Sequence, residues 1–171
     1  MNETNQTDRF APLFAELDRR LAGEVPVRLA IEGGSASGKT TLGKILAERY
    51  DCTVFHMDDF FLRAEQRTAA RFAEPGGNVD RERFLAEVLL PLRRGEKVFY
   101  RRFDCASMQL QNAVETAPKK LVVAEGAYSM HPDLAPYYDL SVFLPISAEK
   151  QRERILKRNA PAHAKQFFDR W

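Results

Sequence analysis

Two glycines and a lysine at fixed spacing set the local fold of this 171-residue chain. Gly33 is followed by four residues and then by Gly38, Lys39 and Thr40, which gives the pattern G-x-x-x-x-G-K-T. A backbone that turns sharply so that its N–H groups surround an anion needs residues with little or no side chain. The pattern therefore predicts a phosphate-binding loop. The residues expected to contact the phosphates are Gly33, Gly34, Ser35, Ala36, Ser37, Gly38, Lys39, Thr40 and Thr41.

The residues on either side of this phosphate loop agree with the prediction. A β-prone apolar run, 27–31, precedes the loop and fits a buried parallel strand. Apolar residues at helical spacing, beginning with Leu42 and Leu46, follow it, so strand, loop and helix occur in the required order. A chance glycine-rich turn is the alternative, and these flanks argue against it. In a nucleoside triphosphate site, Lys39 would reach the β- and γ-phosphates and the Thr40 hydroxyl would ligate Mg²⁺.

Composition narrows the range of partners. Lys plus Arg number 26 against 24 Asp plus Glu, so the net charge is only +2 and the pI is 8.6. Such a balance gives no broad basic field for nucleic acid, and a small anionic ligand fits better. No apolar run is long enough to span a membrane and the polar start lacks a signal-peptide pattern, so no membrane association and a cytoplasmic location are expected. Cys52 and Cys105 lack metal-type spacing, which favours a reducing compartment.

Apolar periodicity predicts alternating strands and helices in a single domain, 1–171, with a loose tail over 1–8. The irregular segment 60–79 is expected to pass over the site, and a basic helix over about 148–165 is expected to form a lid. Further helices are expected from Phe10 to Leu21 with Asp8 as cap, from the phosphate loop to about Tyr50, and from Arg81 to Leu92, with Ser147 capping the lid helix.

Further strands are expected at Cys52–Met57, Leu121–Ala124 and Leu140–Leu144. The segment 98–104 is expected to be a strand or an extended arm. The segment 105–118 is expected to be an exposed connection or the second arm of a hairpin.

Acidic residues follow two of the predicted strands. Alternating strands and helices imply a mainly parallel sheet, in which ligands bind beyond the carboxyl ends of the strands. Asp58 and Glu125 would share that edge with the phosphate loop, whereas Asp51 and Asp139 precede their strands and fall on the far side. Mg²⁺ takes hard oxygen ligands, so Thr40, Glu125 and Asp58 are the candidate metal residues. The alternatives are a solvated strand end or helix cap for Asp58, and a buried acid paired with an arginine for Glu125.

Phosphoryl transfer to an alcohol benefits from a carboxylate that accepts the hydroxyl proton and from cations around the transferred group. Asp58 is the candidate base, and Lys39 and Arg154 are the candidate cations. The run QRERILKRN that contains Arg154 is equally typical of a solvated helix face. The histidines share no spacing, which favours structural or surface roles over ligand or base for His56, His131 and His163.

Five segments in this order, GGSASGKTT, MDDFFLR, NVDRERF, VVAEGAYSMHPDL and QRERILKR, resemble the uridine kinase, phosphoribulokinase and pantothenate kinase group of P-loop kinases, especially bacterial uridine kinase-like proteins. The resemblance covers about residues 25–160. It implies an α/β fold, the three-layer α/β/α P-loop NTPase architecture with a mainly parallel sheet and a helical lid, and it implies ATP and Mg²⁺ as cofactors.

The same resemblance suggests roles for individual residues. In that group of kinases, the acid that matches Asp58 is the catalytic base and lies beside Mg²⁺. The acid that matches Glu125 is the partner of that first acid. Asp80 matches a residue that binds ribose hydroxyls, and Tyr100 matches an acceptor-site position, with Phe61 as a further substrate candidate. Arg154 matches a lid position. Two features depart from the group: the string YRRFDCAS carries no histidine to read a pyrimidine, and RNAPAHAK replaces the usual R-G-R lid continuation.

The sequence thus predicts an ATP- and Mg²⁺-dependent kinase for a hydroxyl of a small metabolite, with a nucleoside as the leading acceptor. A kinase for a pantothenate-like or sugar-phosphate alcohol and a non-catalytic ATP-binding module are the alternatives. Guanine-nucleotide switching is disfavoured because the chain contains no N-K-x-D motif. Self-association into a homo-oligomer is left open. The aromatic residues Phe167, Phe168 and Trp171 lead us to expect that the natural helix continues beyond the printed sequence.

Overall fold

A computed structural model describes residues 8–158 of the chain. The strands are β1 (Val27–Gly33), β2 (Cys52–His56), β3 (Val98–Asp104), β4 (Gln109–Thr116), β5 (Leu121–Glu125) and β6 (Leu140–Leu144). The helices are α1 (Ala11–Leu21), α2 (Lys39–Arg49), α3 (Ala69–Phe72), α4 (the consecutive segments Arg81–Phe84, Leu85–Leu89 and Leu90–Arg93, the middle one a π-helix) and α5 (Ala148–Arg158). Short 3₁₀ helices occupy Met57–Phe60, Ala64–Gln66 and Ala135–Tyr137.

The main sheet is parallel and has the order β2–β5–β1–β6. Every residue of β5 is buried, as the continuous apolar run predicted for a central parallel strand. The register places His56 opposite Glu125 on one side of β5 and Ile31 opposite Glu125 on the other. The carboxyl ends of β1, β2 and β5 therefore meet at one edge, which confirms the predicted mainly parallel α/β fold.

Apolar side chains on the two faces of the sheet form two cores. One core joins α1 and α2 to the sheet through Phe14, Leu17, Leu42 and Leu46. The other joins α4 and the β3–β4 hairpin to the opposite face, and it contains the ring cluster of Phe55, Phe60, Phe84 and Tyr100. The layers are helix, sheet and helix, with the hairpin beside α4.

Several local predictions are confirmed and others need correction. Ser147 caps α5 by accepting a hydrogen bond from the Lys150 N–H (3.3 Å), as predicted. Asp8 does not cap the first helix: the N-cap is Phe10, without a side-chain hydrogen bond. β2 ends at His56 rather than Met57, because the chain turns directly into a 3₁₀ helix. Of the alternatives considered for 98–104 and 105–118, the structure shows the hairpin, in which β3 and β4 pair antiparallel.

The segment 60–79 leaves the sheet and returns to it. It contains α3 and one 3₁₀ turn, and an antiparallel bridge between Phe61 and Val79 closes its base. Within residues 8–158, no helix is long and apolar enough to cross a membrane. Asp8, the last residue of the predicted tail over 1–8, is helical. Residues 1–7 of that tail, the lid residues 159–165, His163 and the terminal aromatics lie outside the described residues.

Candidate active site

A cavity of about 1000 Å³ opens at the carboxyl ends of β1, β2 and β5. The phosphate loop forms its floor, α5 forms one wall, and the segment that begins and ends at the Phe61–Val79 bridge forms another. The sequence-predicted residues that line it are the loop residues 33–41, Asp58, Phe61, Glu125 and Arg154.

The phosphate loop has the backbone geometry that its glycines suggest. Gly33 and Gly38 have φ values of 152° and 104°, and a Cβ on Gly33 would lie 2.4 Å from the Leu144 carbonyl oxygen. Lys39 Nζ donates to the carbonyl oxygens of Gly33 (2.8 Å) and Gly34 (2.9 Å). Burial lowers the pKa of Lys39, and nearby carboxylates oppose that shift. The ammonium therefore lies inside the loop, where a phosphate would replace its carbonyl partners.

Glu125 connects three elements of the site. Its Oε1 atom accepts a hydrogen bond from Thr40 Oγ1 (3.1 Å), at the start of α2, and lies 2.6 Å from His56 Nδ1, at the end of β2. The Glu125 side chain is only 6% exposed. The hydrogen bond to Glu125 raises the pKa of His56. Glu125 is thus held by Thr40 and His56 rather than by the arginine considered from the sequence.

Asp58 lies in the concave wall formed by the 3₁₀ helix after β2, with its side chain open to the cavity. The surrounding protein desolvates the carboxylate and Glu125 adds a like charge, so its pKa is raised; Lys39 and His56 oppose the shift. Asp58 makes no side-chain cap of the 3₁₀ helix. A carboxylate whose proton affinity is raised this way, beside a lysine, has the properties of a base.

Helix α5 meets the phosphate loop from the side. Gln151 Nε2 donates to the Ser35 carbonyl oxygen (3.1 Å), and Arg154 Nη1 donates to the Ala36 carbonyl oxygen (2.9 Å). Ala36 has φ 60°, a left-handed conformation that the loop requires at this position. Arg158 also lines the cavity. The predicted lid cation Arg154 is therefore placed at the loop, on its outer carbonyl side.

The three predicted acceptor residues have different surroundings. Phe61 lines the cavity. Asp80 is 2% exposed and caps α4: its Oδ1 accepts from the Arg83 N–H (3.2 Å) and its Oδ2 from Arg83 Nε (3.3 Å). Tyr100 is 5% exposed and packs its ring on Phe60, with its hydroxyl 3.4 Å from Arg102 Nη2. Asp80 and Tyr100 lie behind the residues that line the cavity.

The site residues fit a magnesium-bound triphosphate. Ser37 Oγ is buried without a hydrogen-bond partner among the described residues, which matches a loop that awaits an anion. Two carboxylates and the Thr40 hydroxyl supply hard oxygens. No cluster of three or more His, Cys, Asp or Glu side chains within residues 8–158 forms a metal cage, so phosphate and water oxygens would complete the coordination.

No role at the site was predicted from the sequence for His56, Gln151 or Glu32. Glu32 lines the cavity beside the loop and its Oε2 accepts a hydrogen bond from the Met130 N–H (2.6 Å). The position of His56 at a strand end, two residues before Asp58, was a usable signal. The position of Gln151, one turn before Arg154 on the same helix, was another.

Comparison with known proteins gives a consistent class. A shikimate kinase family model matches residues 35–90, less than half of the chain, and no curated protein matches. The fold is similar to that of a possible uridine kinase from Bacillus stearothermophilus (20% identity, TM-score 0.63, 90% of this chain and 91% of that one). It is also similar to a protein described as a candidate fructose transport system kinase from Silicibacter sp. TM1040 (25%, 0.71, 91% and 85%) and to D-glycerate 3-kinase from Cryptococcus neoformans (15%, 0.66, 99% and 86%).

The phosphate loop, the acids at the strand ends, the match to the shikimate kinase family model and the likeness at 25% identity to a transport-system kinase define the chain as a P-loop kinase. More particularly, it is a small-molecule kinase, which confirms the class predicted from the sequence. The solved structures at 15% and 20% identity show the fold alone, and their named substrates differ from one another.

Proposed function

We propose that this protein transfers the γ-phosphoryl group of ATP, with Mg²⁺, to a hydroxyl group of a small metabolite. One observation carries the proposal: Asp58 and Glu125, from the ends of two neighbouring strands, face the same cavity as Lys39, and Glu125 is hydrogen-bonded to Thr40. These are the groups that phosphoryl transfer requires, since its catalysis depends on positioning and on charge.

The chain's own residues supply the separate parts of the reaction. The loop N–H groups and Lys39 would hold the triphosphate, and Thr40, Glu125 and Asp58 would hold the metal. When bound, Mg²⁺ supplies positive charge to the β- and γ-phosphate oxygens. Asp58 accepts the proton of the acceptor hydroxyl as that oxygen bonds to the γ-phosphorus and the bond from phosphorus to the bridging oxygen of ADP breaks.

Helix α5 contributes charge at the mouth of the cavity. Arg154 donates to the Ala36 carbonyl oxygen of the phosphate loop and lines the cavity, so its guanidinium lies beside the loop expected to hold the phosphates. Arg158 lines the same cavity one turn further along. We assign the cation that neutralises the transferred group to Arg154, with Arg158 as its neighbour.

A nucleoside is the first candidate acceptor. The resemblance of NVDRERF and of Tyr100 itself to nucleoside kinases supports it, although no histidine follows Tyr100 in YRRFDCAS, and one similar structure is described as a possible uridine kinase. Phe61, Val79 and Tyr128 line the same cavity as Asp58, and their apolar surfaces suit a base or a sugar ring.

A non-nucleoside alcohol is the second candidate, because of the placement of Asp80. Both of its carboxylate oxygens are engaged by Arg83, and Arg83 is itself fixed by hydrogen bonds to the carbonyl oxygens of Asp59 (3.1 Å) and Arg101 (2.6 Å). Freeing Asp80 for ribose hydroxyls would break this buried ion pair and leave Arg83 with only its longer ion pair to Glu87 (3.6 Å). A sugar or hydroxy acid bound between Asp58 and Phe61 needs no such change.

ADP release from ATP and Mg²⁺ tests the proposal across nucleosides, pantothenate, sugars, sugar phosphates and glycerate. We expect one acceptor class to stimulate turnover, and Asp58→Asn to reduce it by about 10²-fold or more. Asp59→Asn is the matched control, since Asp59 pairs with Arg102 (3.4 Å) and is not among the residues that line the cavity. Tight ATP binding without stimulation by any acceptor would favour a non-catalytic ATP-binding protein.

A further inference from the structure

We propose that His56 is a positioning residue for Glu125: it fixes one carboxylate oxygen so that the other is directed to the metal bound with the nucleotide. The inference rests on the proposed function only in so far as a metal–nucleotide complex binds the phosphate loop. It does not depend on which acceptor is used.

The strand register produces the contact. β2 and β5 pair in parallel with His56 opposite Glu125, so the last side chains of the two strands stand side by side at the edge of the sheet. His56 Nδ1 lies 2.6 Å from Glu125 Oε1. An ionised carboxylate only accepts hydrogen bonds, so Nδ1 carries the hydrogen in this contact. His56 is partly exposed, with 42% of its side chain accessible, so packing alone does not explain its place.

Two donors converge on the same oxygen. Thr40 Oγ1 also donates to Glu125 Oε1, from the side of the phosphate loop. A hydroxyl that ligates a cation through its lone pair can keep donating its hydrogen to a carboxylate. With Oε1 held by donors from β2 and from α2, Oε2 is the oxygen left for the metal and its water ligands. Hydrogen bonds of this kind to metal-binding carboxylates commonly alter metal affinity 10–100-fold, a range of about 1.4–2.7 kcal/mol.

The remaining described histidine makes a different contact. His131 Nδ1 accepts a hydrogen bond from the Asp133 N–H (3.2 Å) within its own loop. That arrangement organises a turn and touches no group of the site. His56 is therefore distinguished by its partner and not by its residue type.

Three substitutions separate positioning from packing. His56→Asn keeps a nitrogen donor the same number of bonds from Cα as Nδ1, His56→Gln moves the donor one bond further, and His56→Leu removes it. Thr53→Val, on the same strand, is the control. The measurement is the affinity for Mn²⁺ in the presence of the β,γ-imido analogue of ATP, from the electron paramagnetic resonance signal of free Mn²⁺, with thermal unfolding as the check of folding.

We expect His56→Leu and His56→Gln to bind Mn²⁺ about tenfold more weakly than the wild type. His56→Asn should recover most of the affinity, and binding of the analogue without metal should not change. The proposal is overturned if the Leu and Gln variants fold and bind Mn²⁺ as the wild type does; if Leu fails to fold, Gln alone decides. A wild-type protein that binds neither the analogue nor Mn²⁺ would overturn the proposed function itself, and an absent acceptor activity would not affect this test.

Discussion

Thr40 Oγ1 lies 3.1 Å from Glu125 Oε1, which joins the first turn after the phosphate loop to the end of a buried strand 85 residues further along the chain. The contact fixes the hydroxyl expected to ligate Mg²⁺ against the acid expected to hold its water ligands. The positions of the groups expected to bind the phosphate donor and its metal are therefore fixed by the sheet rather than by a mobile loop.

Replacing Thr40 separates the hydroxyl from the shape of the side chain. Thr40→Val keeps the branched shape and should lower kcat at least about tenfold, because both the metal ligand and the donor to Glu125 are lost. Thr40→Ser retains the hydroxyl and should stay close to wild type. Steady-state kinetics across Mg²⁺ concentrations measure the effect, and a Val variant that matches the Ser variant would contradict this role.

Gln151 holds the phosphate loop from outside. By donating to the Ser35 carbonyl oxygen, it favours the peptide orientation in which neighbouring N–H groups point to the phosphates. Gln151→Leu should therefore weaken ADP binding about fivefold, as measured by calorimetry. A fivefold loss of affinity corresponds to the net free energy of about one neutral hydrogen bond. Lys150→Ala, on the exposed side of the same turn, is the control. Equal affinities in the two variants would show that the contact does not organise the loop.

The ionised Asp58 carboxylate is expected to lower the free energy of unfolding. Desolvation and the charge of Glu125 raise the folded-state pKa of Asp58 above its ordinary value. Relative to high pH, Asp58 therefore adds to the free energy of unfolding when pH is below its pKa in the unfolded chain, and this gain is lost as pH rises through the folded-state pKa. Asp58→Asn should therefore raise Tm near neutral pH, and the gain should fade as pH falls below the ordinary aspartate pKa. Thermal unfolding against pH measures this. A lower Tm near neutral pH would contradict it.

The same titration should appear in catalysis. As the base, Asp58 must be deprotonated, so kcat should fall on the acid side as pH drops through the pKa that Asp58 has in the complex with metal and nucleotide. The pH profile of kcat measures the position of this limb, and Asp59→Asn should leave it in place. Loss of the limb in that control would argue against Asp58 as the base.

Gly126 is expected to be intolerant of a side chain. It follows Glu125 with φ 148°, and a Cβ there would lie 2.5 Å from Met57 Cβ, in the buried core beside the site. Gly126→Ala should lower the free energy of unfolding by about 3 kcal/mol. Gly95→Ala, at φ 69° with open space around it, should cost only about 1 kcal/mol. Denaturant unfolding measures the free energy of unfolding of both variants. Equal losses would show that small shifts relieve the close approach to Met57 at little cost in free energy.

The donor half of the site was predictable because it depends on local pattern and on one rule of parallel sheets. The G-x-x-x-x-G-K-T spacing determines the loop, and the rule that carboxyl ends share an edge brings Asp58 and Glu125 to it. The position of His56 at a strand end pointed to this edge of the sheet, but its contact with Glu125 was not predictable, since it requires the strand order: β2 pairs with β5 and not with β1. Apolar runs show that strands exist, and they do not state which strands are neighbours.

The acceptor half was harder to predict for a different reason. Asp80 matches a ribose-binding residue by resemblance, but its position three residues before Arg83 at a helix start is equally typical of a cap and a local ion pair. The structure shows that local pair. The spacing from Arg154 places Gln151 on the same helix, but its hydrogen bond to the Ser35 carbonyl oxygen depends on the orientation of α5 against the loop, which a sequence period does not determine.

Transfer of labelled γ-phosphate from ATP to the acceptor that stimulates ADP release is the most direct measurement of the proposed function. The proposal predicts a phosphorylated acceptor formed in equal amount to ADP by the wild type, and formed about 10²-fold more slowly or worse by an Asp58→Asn variant that still binds ATP. ATP bound tightly with no phosphorylated product from any acceptor class, or equal rates in the two proteins, would contradict it.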